Sequence, residues 1–247
     1  MKKSRLLAIA MGALLLGTAL QSCSDDDKSP YIICPSPRPN ALVTVKPQGE
    51  GKTLLLQLDD STTLTPLNMA ESPFGEKEVR ALCNFRLAEQ QGDKRNFKVY
   101  INWIDSIRTK TMAPDLEAKN IETYGNDPVE IVRDWTTVAE DGYLTLRFRT
   151  RWGDNVPHLV NLVAENKSNP YELTFHHKGN TNGPAADGIV AFKLDRLPDT
   201  GGKTVDVKLN WNSFSGAKSV TFKYCTGKSS GTPSTDMFTE LPGGKVE

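Results

Sequence analysis

The chain has 247 residues, 38% of them hydrophobic and 24% charged, which is the composition of a globular protein and excludes one disordered throughout. Thirty basic and thirty acidic residues cancel, and neither half is polarised: residues 24–119 carry 13 basic and 14 acidic side chains, residues 120–247 carry 14 and 16. A general nucleic-acid binder would show a basic excess, so nucleic acid is not expected as a partner.

The chain opens with an address. Lys2, Lys3 and Arg5 precede the apolar run Leu6 to Leu20, which is too short to span a bilayer comfortably and fits the core of a signal peptide. The run ends in Leu20-Gln21-Ser22-Cys23, which resembles a bacterial lipobox in the form frequent in Bacteroidota. Residues 1–22 are therefore expected to be removed, and Cys23 to carry lipid (diacylglycerol and palmitate) as the mature N-terminus. The bland alternative is an ordinary signal peptide with a chance cysteine. Asp25, Asp26 and Asp27 follow, resembling the surface-export signal of Bacteroidota lipoproteins. With Pro30, Pro35, Pro37 and Pro39, residues 23–39 read as an extended tether. The expected location is the outer membrane, on its surface or periplasmic face, anchored rather than spanning.

If lipid occupies Cys23, then Cys34, Cys83 and Cys225 remain, so at least one thiol is free or pairs outside the chain. Cys83 lies on an apolar strand face and reads as a small buried hydrophobe.

Residues 40–119 read as a first domain of short strands. Ala41, Val43 and Val45 alternate with Leu42, Thr44 and Lys46. Leu54 to Leu58 follows a turn at Gly49–Gly51, Asp59-Asp60 turns the chain, and Thr62 to Leu67 gives a third strand. Val79, Ala81, Cys83, Phe85 and Leu87 share one face, with Arg80, Asn84 and Arg86 opposite and Leu82 as the exception. After a turn at Gln90–Lys94 come Phe97, Val99, Ile101 and Trp103. Five short strands suit a small OB-like barrel.

Residues 109–130 lack strand alternation. Asp115 to Lys119 reads as one helical turn and Gly125-Asn126-Asp127-Pro128 as a tight turn, which puts the expected domain boundary near residue 120. Residues 120–225 return to strands. Leu144, Leu146, Phe148 and Thr150 face one way, and Tyr143, Thr145, Arg147, Arg149 and Arg151 the other. Leu159 to Ala164, Tyr171 to His177, Ile189 to Leu194, Val205 to Trp211 and Val220 to Tyr224 complete a set expected to form a β-sandwich. Residues 226–247, rich in Gly, Ser, Thr and Pro, read as a flexible tail.

Several stretches, in order, carry a resemblance: the lipobox; Leu56-Gln57-Leu58-Asp59-Asp60-Ser61-Thr62-Thr63-Leu64; Gly125 to Val129; Pro157-His158-Leu159-Val160-Asn161-Leu162-Val163; Tyr171 to His177; and Val220 to Tyr224. With them the chain resembles the NigD-like lipoproteins of Bacteroidota over nearly the whole mature sequence. The resemblance implies an N-terminal OB-like domain and a C-terminal β-sandwich. It implies no catalytic residues, and its link to a bacteriocin-associated locus is the only ground for an immunity-type role.

Arg147, Arg149 and Arg151 form a basic stripe suited to gripping a phosphate, sulfate or carboxylated glycan, against the plainer reading of a face matched by acids on neighbouring strands. Trp152, which follows the stripe, and Trp135 are candidates for ligand contact, whereas Trp103 and Trp211 lie on apolar faces. His176 and His177 point to opposite faces of a regular strand and cannot share an ion; His158 with one of them and Asp154 would be needed, and no metal or cofactor is expected. Asp60-Ser61-Thr62 and Asp105-Ser106-Ile107 match a short O-glycosylation pattern of exported Bacteroidota proteins. No Gly-x-Ser-x-Gly, His-Glu-x-x-His or P-loop pattern occurs, so the expectation is a non-enzymatic binding module for an envelope protein or glycan. The alternatives are a bacteriocin immunity-type protein and an enzyme whose site has no recognised motif.

Overall fold

The computed structural model describes residues 38–47, 54–89 and 95–226. The expected signal peptide, Cys23 with its expected lipid, Cys34, all of the expected tether before residue 38, the expected turns at 49–51 and 90–94 and the expected tail beyond Thr226 lie outside the described residues.

Five strands close a barrel: β1 (Ala41–Lys46), β2 (Leu55–Gln57), β3 (Thr63–Pro66), β4 (Val79–Leu87) and β5 (Asn96–Ser106), in the order β1-β2-β3-β5-β4. All pairings are antiparallel except β3 with β5. Period-two alternation turns Val43, Val45, Leu56, Leu64, Ala81, Cys83, Val99 and Ile101 into the barrel, where they form its core. Cys83 is a free thiol inside it, and burial pushes its pKa up to about 12.

The second domain begins earlier than expected. Strand β6 (Arg108–Thr111) pairs in parallel with β12 (Ala185–Lys193), so the seam between the domains falls at Ile107 rather than near residue 120. A 3₁₀ turn (Glu117–Lys119) falls within the helical turn read from the sequence and runs on into the short α1 (Asn120–Tyr124). One sheet runs β6-β12-β9-β7, with β7 (Glu130–Ile131) and β8 (Val138–Glu140) both pairing with β9 (Tyr143–Arg151). The other runs β10 (Leu159–Val163), β11 (Glu172–Lys178), β13 (Val205–Ser213), β14 (Gly216–Tyr224). Their facing residues, including Leu144, Leu146, Phe148, Leu162, Phe175, Phe192, Leu209 and Trp211, make one core, as a sandwich requires.

A third cluster joins the domains. Leu42 and Leu82 point out of the barrel and pack on Ile107, Tyr143 and Ala191, with Trp103 and Trp135 at the margin. This explains Leu82, which broke the alternation of β4: that outward face is covered by the sandwich. Among the described residues no helix is long and apolar enough to cross a membrane.

Candidate functional site

The arginine stripe does not stand free. Arg147 is 4% exposed. Its Nη1 lies 2.6 Å from Asp134 Oδ2 and its Nη2 2.5 Å from Asp187 Oδ2. Arg149 reaches the same acid, with Nε 2.5 Å from Asp187 Oδ1, because Asp187 on β12 sits directly across from it. Burial alone would raise the Asp187 pKa, but the hydrogen bonds from Arg149 and Arg147 outweigh it and hold the carboxyl below its usual range. Two of the three stripe residues therefore neutralise a buried carboxylate. Arg151 is exposed.

Trp152 is partly buried. Its indole Nε1 donates to the Ala186 carbonyl at 3.0 Å, and its ring stacks on His158 with centroids 4.0 Å apart and planes 20° apart. Trp135 is likewise half-buried, at the seam.

The three histidines serve the sandwich at the end of β9 away from the seam. His158 Nδ1 lies 2.8 Å from His177 Nε2, and His177 Nδ1 lies 3.2 Å from the Asp127 carbonyl. A carbonyl only accepts, so His177 donates from Nδ1–H to Asp127, and its Nε2 accepts a hydrogen bond from His158 Nδ1–H. Burial, then the His158 charge, pulls the His177 pKa down to about 4. Burial also lowers that of His158, against the Asn180 backbone and the Asp154 and Asp127 carboxylates. His176 faces the other way, as strand alternation requires, bonding the Gly125 carbonyl and Glu165 Oε1, both at 2.8 Å. Among the described residues no three His, Cys, Asp or Glu side chains converge as a metal would need.

These contacts brace four loops together. Gly153 N donates to the Asn180 carbonyl at 2.7 Å, and Asn180 Nδ2 to Asp154 Oδ2 at 2.8 Å. Gly179 N donates to Asp127 Oδ2 at 2.9 Å, and Asn212 Nδ2 to the Asn126 carbonyl at 2.7 Å. Val156 (65% exposed) and Phe214 (51%) project from this frame. Sequence reasoning named neither, since a single apolar residue in a loop gives no periodic signal.

The seam holds the other polar cluster. Arg80, wholly buried, sets Nη2 2.5 Å from Glu140 Oε1 and Nη1 2.9 Å from Thr44 Oγ1. Lys46 Nζ lies 2.7 Å from Asp141 Oδ1, and Asp141 N donates to Asp60 Oδ1 at 2.9 Å. Burial pushes the Asp60 pKa up to about 6, with Asp141 and Asp59 adding to the rise and the Asp141 N–H opposing it. Of the two candidate glycosylation serines, Ser61 bonds Asp59 through its hydroxyl at 2.9 Å and Ser106 is exposed beside the seam.

Comparison with known proteins follows the same domain division. The sequence model of a NigD-like N-terminal OB domain matches residues 42–107, and that of a NigD-like C-terminal β-sandwich domain matches residues 111–224. A Parabacteroides distasonis protein described as toxin-related has a crystal structure that superposes with TM-score 0.62 at 35% identity, covering 75% of this chain and 92% of that one. A NigD-like immunity protein of Bacteroides caccae superposes with TM-score 0.54 at 17% identity, covering 75% and 96%. A Bacteroides fragilis protein described as a lipoprotein gives 0.50 at 12%, covering 75% and 97%. At 17% and 12% identity the likeness is one of fold. No curated protein matches the chain significantly.

Proposed function

The chain belongs to the NigD-like family, and on that footing we propose that it is a lipid-anchored protein of the outer membrane that works as a non-enzymatic binding module for an extracytoplasmic protein. The observation that carries this reading is the loop end of the sandwich. Four loops are tied to one another by buried histidines and side-chain-to-backbone bonds, and Val156 and Phe214 are left projecting from a rigid frame. Preorganised loops with a few apolar anchors bind without a large ordering cost. The buried charges support the non-enzymatic reading, since Arg80, Glu140, Arg147 and Asp187 are committed to one another.

The lipobox ending at Cys23 supports the anchor. The immunity-type reading is the case in which the captured protein is a bacteriocin or its target; the relative described as toxin-related favours keeping it. Capture from native envelopes tests both, using wild type beside Val156→Asp and Phe214→Asp. A stoichiometric protein recovered with wild type and lost with either variant is the expected result. Equal recovery with all three would move the interface elsewhere, and recovery of no protein would overturn the reading and leave glycans to be tested.

A further inference from the structure

A second site lies at the seam. A cleft of about 620 Å³ opens between the residues leading into β4 and the β5–β6 crossing, lined by Lys77, Glu78, Val79, Ser106, Ile107, Arg108 and Thr109. That volume is in the range that holds a small ligand, about 300–1,000 Å³.

Its floor is fixed. Ile107 N donates to the Arg80 carbonyl at 2.8 Å, and Arg80 N to Thr109 Oγ1 at 3.1 Å, so the two walls are stitched through a residue that is itself locked in the seam. The one acid in the lining is already engaged: Glu78 accepts the Tyr143 hydroxyl proton and has Lys193 Nζ at 3.7 Å. Lys77 and Arg108 are exposed and have no side-chain partner among the described residues. The cleft therefore presents two uncompensated cations.

The wall on the Arg108 side is an edge strand. β6 ends its sheet beside β12, and its flanks are taken: Ile107 N donates to the Arg80 carbonyl, the Thr109 hydroxyl to the Ile107 carbonyl, and Ala113 N to the Leu162 carbonyl. The lining contains no aromatic ring on which a sugar would stack, only Val79 and Ile107.

We propose that this cleft binds a short acidic peptide segment of a partner, which places its carboxylates on Lys77 and Arg108. The site does not depend on the far-end loops, so it stands or falls separately from the reading above.

The test uses the full mature chain in detergent and a fluorescein-labelled Asp-Val-Asp-Val-Asp-Val-Asp peptide, followed by anisotropy. The Lys-for-Asp peptide and a sulfated oligosaccharide serve as the other probes. Saturable binding of the acidic peptide alone is expected. Lys77→Glu and Arg108→Glu should each weaken it by about tenfold or more, because like charges would then face each other. Lys203→Glu, an exposed change elsewhere, should not. Val156→Asp and Phe214→Asp should also leave it intact, which separates this site from the capture experiment. Circular dichroism of each variant confirms the fold. Absence of saturable binding, indifference to both reversals, equal loss with Lys203→Glu, or binding of the sulfated oligosaccharide in place of the peptide would each overturn the proposal.

Discussion

A carboxylate that serves two guanidiniums is worth more to the fold than either cation. Asp187 is 2% exposed and neutralises Arg147 and Arg149 together. Removing it leaves Arg147 with Asp134 as its remaining counter-charge, so the loss is at most that of breaking a buried pair from one side, about 3–5 kcal/mol. We expect Asp187→Ala to lower unfolding free energy by up to that amount in urea titration, and Arg151→Ala to change it by less than about 0.5 kcal/mol, as exposed residues do. The histidines add a pH dependence whose direction follows from their burial. His177 has its pKa near 4 in the fold against about 6.5 when unfolded, so the unfolded chain binds the extra proton first. The contribution is complete above about pH 6.5 and is lost as pH falls toward 4. Replacing His177 with Gln should flatten the stability curve within that window, and urea midpoints taken at pH 7, 6, 5 and 4 would show it. An unchanged slope would mean that the imidazole is solvated in the folded state.

At the level of strands and loops, close approach decides what can be changed. A Cβ on Gly179 would lie 2.3 Å from the His158 ring, so the loop after β11 reaches the imidazole only because it has no side chain there. Gly179→Ala must displace His158 from Trp152, and overpacking of this kind costs about 1–3 kcal/mol. Loss of stability together with a change in Trp152 emission is the expected signature; stability lost with unchanged emission would place the adjustment in the backbone instead. The long strands were legible because their alternation is strong: β4, β9 and β13 appear where apolar residues recur every second position. β6, β7 and β8 were not. Arg-Thr-Lys-Thr carries no apolar residue, and two- and three-residue strands are too short for a period to show. They exist because β12 and β9 offer edges to pair with, a tertiary cause that local sequence does not hold. The same limit moved the domain boundary to Ile107 and hid the partner of the arginine stripe, since Asp187 is far from Arg147 in the chain and adjacent only across β9 and β12.

For the molecule as a whole, the seam turns two domains into one unit. Leu42 and Leu82 from the barrel bury against Tyr143 and Ala191 of the sandwich, and inside that apolar contact Arg80 meets Glu140. Burial raises the Glu140 pKa against the pull of Arg80. Neither the barrel nor the sandwich can leave without exposing the other's half of this cluster, so the wild type should unfold in a single cooperative step with coincident probes. Glu140→Ala strands Arg80 as a buried, unneutralised cation at a cost of about 3–5 kcal/mol, concentrated at the seam. Amide exchange resolved by strand is the measurement that tells the cases apart. If the seam couples the domains, this variant should speed exchange in β1 and β4 more than in β11 and β13. Asp60 sets the pH at which the effect is clearest. Its pKa is raised to about 6 in the fold from an ordinary value near 3.8, so its contribution is present in acid and is lost as pH rises through 6. The seam is thus weakened at neutral pH, where the histidine-braced loops are at their strongest, and the difference between barrel and sandwich exchange should widen from pH 5 to pH 7. Uniform acceleration across all strands at both pH values would mean that the two cores share one stability and that the seam only transmits it.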